Sequence, residues 1–205
     1  MKINKWLLTA LVSVMCLLAV KLVKGTYRQA HPQPAPMQAG DRIKGKPDAG
    51  LRISEFTDFQ CPACGKVLPV LDELLERYAG KISIQHKYFP LPNHKHSVRA
   101  ASYAECANAQ GKFWSYHDLL FSRQPDWSGL DDPSQYFDDL AMKVSLDMDR
   151  LRACLAGTEA SGRVNSDKLD GEIAGVKATP TFVVDGKLFV GGDNLKAELE
   201  SRLGK

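Results

Sequence analysis

The chain has 205 residues, of which 44% are apolar and 25% are charged, and its formal net charge is +3. A chain of this size fits one globular domain plus an appendage, and a core of that size needs no cross-links to be stable. The charges are spread along the chain instead of forming a clustered basic face, which argues against a nucleic-acid partner.

Residues 1–26 are predicted to be an export segment, either a signal anchor or a cleaved signal peptide. Lys2 and Lys5 precede a mostly apolar run at residues 6–23. A helix of that length would span roughly 27 Å, which is enough for a short membrane crossing. No convincing small-x-small cleavage site follows the run. We therefore expect an uncleaved anchor at residues 6–23.

Residues 27–50 are predicted to be a flexible linker. Prolines recur at positions 32–36, and small and charged residues follow without apolar periodicity. This composition favours an extended chain without a core of its own. The folded domain is therefore expected to cover residues 51–205.

A strand, a helix and a second strand should open this domain. Apolar and β-branched residues at 51–59 predict a buried strand, and residues 81–89 alternate as a second one. Between them, apolar positions at helical spacing begin after Pro62, and Gly80 is a stop signal. Because a helical crossover joins the two strands, we expect them to be parallel.

Several helices should follow, from about residue 96 to residue 176, because glycines and prolines separate segments with helical spacing. The predicted helices are residues 98–109, 112–122, 134–144, 149–155 and 159–173.

The last part of the chain returns to strands, at residues 181–184 and 187–190. Asp185-Gly186 joins them and is a strong hairpin signal. A final helix should begin with Asp193 or Asn194 as its cap. The whole order predicts an α/β protein with a thioredoxin fold, βαβ and then ββα, interrupted by an all-helical insertion.

Cys61 and Cys64 stand where the first strand gives way to the first helix. A Cys-x-x-Cys pair beside a βαβ unit is typical of a redox site, and a helix N-terminus stabilises a thiolate. The alternative is half of a zinc site, but the sequence has no second Cys-x-x-Cys to complete it. His94 and His96 are expected to cap the next helix instead. We therefore expect no metal and no cofactor beyond the redox-active Cys61/Cys64 disulfide.

Three motifs, in this order, resemble the DsbA-like branch of the thioredoxin superfamily, the extracytoplasmic thiol oxidoreductases whose thioredoxin fold carries a helical insertion. They are DFQCPAC at residues 58–64, QGKFWSYHDLLF at residues 110–121 and GVKATPTF at residues 175–182. The resemblance covers about residues 51–203, which is most of the predicted domain.

The resemblance implies roles for four of these residues. Cys61 would be the nucleophile and Cys64 the resolving cysteine, and the helix start agrees with that order. Thr179 and Pro180 match the cis-proline loop, which would bind an extended segment of the substrate. Without the family pattern, a trans proline that opens a strand would be the simpler interpretation.

Pro62 and Ala63, between the cysteines, would contact the substrate and tune the reduction potential. The strongest oxidant of the family has a histidine at the second of these positions. Because Ala63 offers no charge or donor to the thiolate, we expect a potential less oxidising than about −120 mV.

Glu55 lies six residues before Cys61, where the family keeps a buried acid. The resemblance implies that it shuttles the proton of Cys64, because burial raises the pKa of a carboxyl group. A solvent-facing strand residue is the alternative, and strand alternation does not separate the two. Lys87 on the second strand is the expected partner of Glu55.

Cys106 and Cys154 form a second pair, on two helices of the insertion. Two free buried thiols would be expected in the cytoplasm, whereas outside it a structural disulfide is favoured. Such a bond closes a loop of nearly fifty residues and would stabilise the fold by about 4 kcal/mol.

These features predict an extracytoplasmic thiol:disulfide oxidoreductase, tethered to the inner membrane, that forms disulfides in exported proteins. Its partners would be reduced exported proteins and, as the resemblance implies, a membrane quinone-linked protein that re-oxidises it. We expect a monomer. A reductase or isomerase of the same fold, or a non-catalytic chaperone or metal-delivery module, remains an alternative.

Overall fold

The structure is a computed structural model that describes Met15 and residues 42–204. The predicted anchor, apart from Met15, and most of the predicted linker lie outside the described residues. In the described part, no helix is both long enough and apolar enough to cross a membrane.

A five-stranded sheet in the order β1-β3-β2-β4-β5 organises the domain. Its strands are β1 Ile43–Gly45, β2 Leu51–Thr57, β3 Ile82–Tyr88, β4 Thr181–Val184 and β5 Lys187–Val190. Strands β2 and β3 are parallel, as predicted, and the other neighbours are antiparallel. The hairpin prediction is confirmed: Asp185 and Gly186 both have positive φ, 48° and 78°, as a tight two-residue turn requires.

Eight helices are described along residues 42–204. They are α1 Pro62–Arg77, α2 Ser97–Asn108, α3 Phe113–Ser122, α4 Gln124–Trp127, α5 Ser134–Lys143, α6 Met148–Ala156, α7 Glu159–Ala174 and α8 Gly192–Leu203. The predicted fold class is therefore confirmed, with α2 to α7 inserted between the βαβ and ββα parts.

Helices α1 and α8 cover one face of the sheet. Val67, Leu71 and Leu74 recur along one side of α1 and pack on Ile53 and Ile84 of the strands. Because these positions are three and four residues apart, they share one helix face and form a continuous apolar stripe. This packing holds α1, and with it Cys61 and Cys64, against the carboxyl end of β2.

Helix α7 approaches the other face of the sheet at a glycine. A Cβ atom at Gly171 would lie 2.6 Å from the ring of Phe89 and 2.8 Å from that of Phe56. Only a residue without a side chain allows α7 to pack this closely against the aromatic cluster. Helices α2 to α6 meet around a separate core that contains Tyr116, Trp127 and Phe137.

Strand β1 lies inside the segment predicted to be linker, so the predicted boundary at residue 51 is wrong. β1 pairs antiparallel with β3 at the sheet edge. Arg42, just before it, is 1% exposed and forms ion pairs with Glu105 on α2 and Asp167 on α7. Its guanidinium also lies 4.2 Å from the centre of the Tyr88 ring. A three-residue edge strand has too little alternation to be recognised in the sequence, and its partners lie far along the chain.

The cap predicted for the last helix is also wrong. Helix α8 has Gly191 as its cap, and the side chain of Asn194 instead donates to the carbonyl of Val190 at 2.6 Å. His96 is the N-cap residue of α2, as predicted, although its side chain makes no capping bond and its Nε2 atom lies 2.7 Å from the carbonyl of Leu130. His94 instead places Nδ1 2.8 Å from the Asp58 carboxylate.

Candidate active site

The two cysteines lie at the corner where β2 turns into α1. Cys61 is the N-cap residue of α1, with extended backbone angles (φ −77°, ψ 118°), and Pro62 follows at the helix start. Proline is favoured there because the first helical N–H groups have no intrahelical partner. Cys64 lies one turn into the helix and is fully buried, whereas Cys61 is 7% exposed. Cys61 is therefore the sulfur that a substrate would meet first.

The pKa values of the two thiols shift in opposite directions. The pKa of Cys61 is lowered to about 5, chiefly by the hydrogen bond from the Cys64 thiol and further by Thr179 and the N–H groups of Ala63 and Cys64, while burial opposes the change. Burial, followed by the bond to Cys61, raises the pKa of Cys64 well above its ordinary value. At neutral pH the reduced pair is thus a thiolate at Cys61 and a thiol at Cys64.

The Thr179–Pro180 loop lies directly against this pair. The Thr179-Pro180 peptide is cis, and the Sγ atom of Cys61 is 3.5 Å from the carbonyl oxygen of Thr179. The carbonyl of Pro180 accepts a hydrogen bond from Gly191 at 2.9 Å, which ties the loop to the end of β5. Four residues that the sequence analysis selected, Cys61, Cys64, Thr179 and Pro180, therefore meet at one site.

Pro62 and Ala63 are exposed next to this site. Their position leaves them free to touch a partner that approaches Cys61.

Glu55 is buried in β2, on the sheet face that α1 covers. Burial raises its pKa to about 7, although Lys44 opposes the change. Among the described residues, its Oε1 atom has no hydrogen-bond partner. Glu55 lies two residues before Thr57, which lowers the pKa of Cys64 and so lies beside it. Alternation along the strand places Glu55 on the same face as Thr57, behind the resolving cysteine.

The predicted pairing of Glu55 with Lys87 is wrong. The β2–β3 register places Glu55 opposite His86 and Phe56 opposite Lys87, so Lys87 points to the other sheet face. There its Nζ atom pairs with Asp167 at 3.1 Å and with Asp170 at 3.0 Å. The cation on the Glu55 face is Lys44 of β1. A shift of one residue in strand register moves every side chain to the opposite sheet face, and the sequence alone does not show which register applies.

Gln124 is a site residue that the sequence analysis missed. It is buried in the short helix α4, and its Nε2 atom donates to the carbonyls of Phe59 at 2.6 Å and Cys61 at 3.0 Å. These bonds connect the helical insertion to the backbone of the nucleophile. Gln124 is 63 residues from Cys61, so no local pattern could reveal the contact.

Asp58 holds the same corner from the other side. Its buried carboxylate accepts hydrogen bonds from the backbone N–H groups of Gln60 at 2.7 Å and Leu91 at 2.8 Å. Together with the His94 ring, these contacts tie the corner to the loop that follows β3.

The second cysteine pair lies away from this corner. Cys106 on α2 and Cys154 on α6 form a disulfide, with an S–S distance of 2.05 Å and a sequence separation of 48. Along residues 42–204, no group of three or more His, Cys, Asp or Glu side chains could hold a metal ion.

A family model described as thioredoxin matches residues 38–201. A curated Na⁺/H⁺ antiporter, NhaA 3 from Salinispora tropica, is 35% identical over 158 residues, which are 77% of this chain and 23% of the antiporter. NhaA from Herminiimonas arsenicoxydans is 32% identical over 151 residues, 74% of this chain and 23% of that protein. The chain thus spans less than a quarter of the length of these relatives.

Solved structures share the fold at low identity. BdbD from Bacillus subtilis superposes with a TM-score of 0.70 at 24% identity, over 83% of this chain and 96% of that one. The thiol-disulfide exchange protein alpha-DsbA2 from Wolbachia pipientis gives 0.66 at 18% identity, over 88% and 93%. DsbA2 from Pseudomonas aeruginosa gives 0.64 at 23% identity, over 82% and 97%. These likenesses establish a thioredoxin fold with a helical insertion.

Proposed function

Because this chain belongs to the thioredoxin family, we propose that it is a thiol:disulfide oxidoreductase that forms disulfides in exported proteins. The observation that carries the proposal is the asymmetric cysteine pair: a thiolate at the start of α1, a buried thiol one turn later, and the Thr179–Pro180 loop 3.5 Å from the first sulfur. A pure binding module would need none of these three features.

The reaction is a pair of thiol–disulfide exchanges. A substrate thiolate attacks Cys61 of the oxidised pair, a new S–S bond forms, and the Cys61–Cys64 bond breaks. The electron pair of the broken bond stays on Cys64, which takes up a proton. A second substrate thiolate then attacks the substrate sulfur of the mixed disulfide, and Cys61 leaves as a thiolate. The substrate gains a disulfide, and the enzyme holds the two electrons.

The low pKa of Cys61 favours this direction. Stabilising the thiolate stabilises the reduced enzyme, and it makes Cys61 a good leaving group in the second exchange. A value of about 5 lies between the first cysteine of thioredoxin, about 7, and that of DsbA, about 3.5. We infer an oxidant of intermediate strength, with a potential between about −270 and about −120 mV.

The substrate surface would be the exposed Pro62 and Ala63 together with Thr179 and Pro180. An extended segment that reaches Cys61 must pass beside the Thr179–Pro180 loop, because that loop lies against the sulfur. Proline offers no backbone N–H, so the neighbouring backbone groups remain free to pair with the incoming strand.

Glu55 would supply the proton that Cys64 requires. A carboxyl group with a pKa of about 7 is both protonated and ionised in large fractions at neutral pH, which suits proton transfer in both directions. Thr57, two residues after Glu55 on β2 and beside Cys64, would help to bridge them.

We place this reaction outside the cytoplasm, with residues 6–23 as the tether and a membrane quinone-linked protein as the re-oxidising partner. The Cys106–Cys154 bond supports the placement, because structural disulfides persist in oxidising compartments.

The test is oxidative refolding of a reduced substrate protein, with the equilibrium against glutathione measured in parallel. We expect Cys61→Ser to abolish refolding activity and Asp139→Asn, an exposed change on the surface of α5, to preserve it. Unchanged activity in Cys61→Ser would refute the proposed function. A reduction potential near that of thioredoxin, about −270 mV, would instead favour the reductase alternative.

A further inference from the structure

Glu55 borders a small cavity that is separate from the sulfur atoms. The cavity has a volume of about 10 Å³, and besides Glu55 its walls include Lys44, Trp114, His117 and leucines of α1. This volume is close to the lower limit for one water molecule, and a water needs two to four polar partners. Glu55, Lys44 and His117 provide that number. The Oε1 atom of Glu55 has no other partner among the described residues.

His117 connects this cavity to the protein surface. Its ring is 1% exposed, and its Nδ1 atom lies 2.8 Å from Oδ1 of Asp118, whose side chain is 61% exposed. Burial tends to raise the pKa of Asp118, but the bond to His117 lowers it overall, so the carboxylate is ionised at neutral pH. Because an ionised carboxylate only accepts hydrogen bonds, Nδ1 carries the proton and Nε2 is the acceptor.

We propose that the proton Glu55 gives to Cys64 is replaced from solvent through a water in this cavity and the His117–Asp118 pair. The inference rests on the proposed function, since it describes the outer half of that proton path. His117 lines the cavity beside Glu55 and is not among the groups that shift the pKa of either sulfur, so we assign it a positioning role that acts through Glu55.

This route replaces the proton that Cys64 takes up during substrate oxidation. Cys64 leaves the broken disulfide with an electron pair and takes a proton from Glu55, which becomes a carboxylate. The cavity water passes a proton to the carboxylate as it takes one from Nε2 of His117, while Nδ1 takes one from the exposed Asp118 side. Inward transfer therefore starts from the Nε2–H tautomer of His117 and ends with the Nδ1–H tautomer assigned above for the reduced pair. Re-oxidation of the enzyme by the proposed quinone-linked partner, which accepts the two electrons, runs the same proton transfers in reverse.

Other titratable groups face the same region and could compete. Lys44 on β1 faces the cavity and pairs with Asp72 of α1 at 3.3 Å. His86 on β3 lies 5.3 Å from His117 between ring centres, and burial lowers its pKa well below the ordinary value. Burial also lowers the pKa of His117 despite Asp118, so both rings are neutral at pH 7.

His86 provides a matched control for His117. Both imidazoles are buried in the same aromatic cluster, but His86 does not line the cavity, and neither of its nitrogens has a partner among the described residues. Truncating either ring removes similar packing. Only the loss of His117 interrupts the proposed path.

The experiment measures the rate at which the oxidised full chain reacts with dithiothreitol from pH 5 to pH 9, for His117→Ala and His86→Ala. We expect His117→Ala to slow the reaction about tenfold at pH 7, as loss of a proton-transfer group would. Added imidazole should restore the rate, because it fits the space left by the ring. The rate of His86→Ala should differ less than twofold from that of the parent protein, and added imidazole should not increase it.

Two further variants keep the test decisive if His117→Ala does not fold. Asp118→Asn alters an exposed side chain and should lower the rate at pH 7 and displace the pH profile, whereas Asp139→Asn, on the surface of α5, should not. Equal losses of rate in His117→Ala and His86→Ala would overturn the relay. A loss of rate in Lys44→Met without one in His117→Ala would overturn it as well. If the unaltered protein showed no disulfide exchange, the proposed function itself would fail.

Discussion

Replacing Glu55 by glutamine removes the buried carboxyl group while it nearly preserves its shape. In the folded protein burial raises the pKa of this group from 4.5 to about 7. A group whose pKa rises on folding contributes stability that is fully present below pH 4.5 and is lost as the pH passes through 7. The folded protein should therefore be less stable at pH 8 than at pH 5.

The magnitude follows from those two values. The interval between 4.5 and about 7, at about 1.4 kcal/mol per pH unit, corresponds to about 3 kcal/mol of stability lost above pH 8. Glutamine carries no charge at any pH, so Glu55→Gln should not show this loss. The variant should be about as stable as the parent at pH 4.5 and about 3 kcal/mol more stable at pH 8.

Urea unfolding of the oxidised protein at pH 5 and pH 8 measures the effect, because the oxidised cysteines then do not titrate. Glu73→Gln is the control, because Glu73 is an exposed carboxylate of α1 whose pKa is lowered by Lys196. Its removal should leave the change in the free energy of unfolding between pH 5 and pH 8 as it is in the parent protein. The same loss of stability in the parent protein and in Glu55→Gln would show that the Glu55 carboxyl group is not the cause.

Three further predictions concern the sulfur atoms and their supports. The thiolate absorbance of the reduced protein at 240 nm should titrate with a midpoint near pH 5; a midpoint near pH 8.5 would contradict the stabilised thiolate at Cys61. Gln124→Ala removes a donor from the carbonyls of Phe59 and Cys61. It should therefore raise this midpoint and lower the free energy of unfolding by about 1 kcal/mol. An unchanged midpoint would show that Gln124 contributes only packing. The double variant Cys106→Ser/Cys154→Ser should lose about 4 kcal/mol in urea unfolding, from the 48-residue separation of the pair. Its exchange rate should stay unchanged, and a matching loss of rate would contradict a purely structural bond.

The parts of the fold that the sequence predicts correctly are those with local signals. Asp185-Gly186 marks its hairpin because two adjacent positive φ angles favour those residue types. Cys61 and Cys64 mark their corner because the spacing of two residues places them one helical turn apart. In both cases the relevant contacts lie within a few residues.

The errors come from contacts between distant segments. The prediction places Lys87 on the wrong sheet face because strand register depends on the partner strand, which the residue types at 51–57 and 82–88 do not specify. Gln124 and His117 reach the site through the insertion, whose docking on the corner depends on packing across more than fifty residues of sequence. Tertiary geometry alone reveals their positions.

Arg42 also bears on how this domain can be transferred between proteins. Its guanidinium bridges Glu105 and Asp167 on two different helices of the insertion; the Arg42 and Asp167 side chains are buried, and the Glu105 side chain is 18% exposed. Removing one partner of such a buried pair typically costs about 3–5 kcal/mol, because the remaining charge keeps its desolvation penalty. A module cut at Leu51 would leave Glu105 and Asp167 without this cation. The smallest portable unit, whether it stands alone or is fused to a larger protein, therefore has to include Arg42.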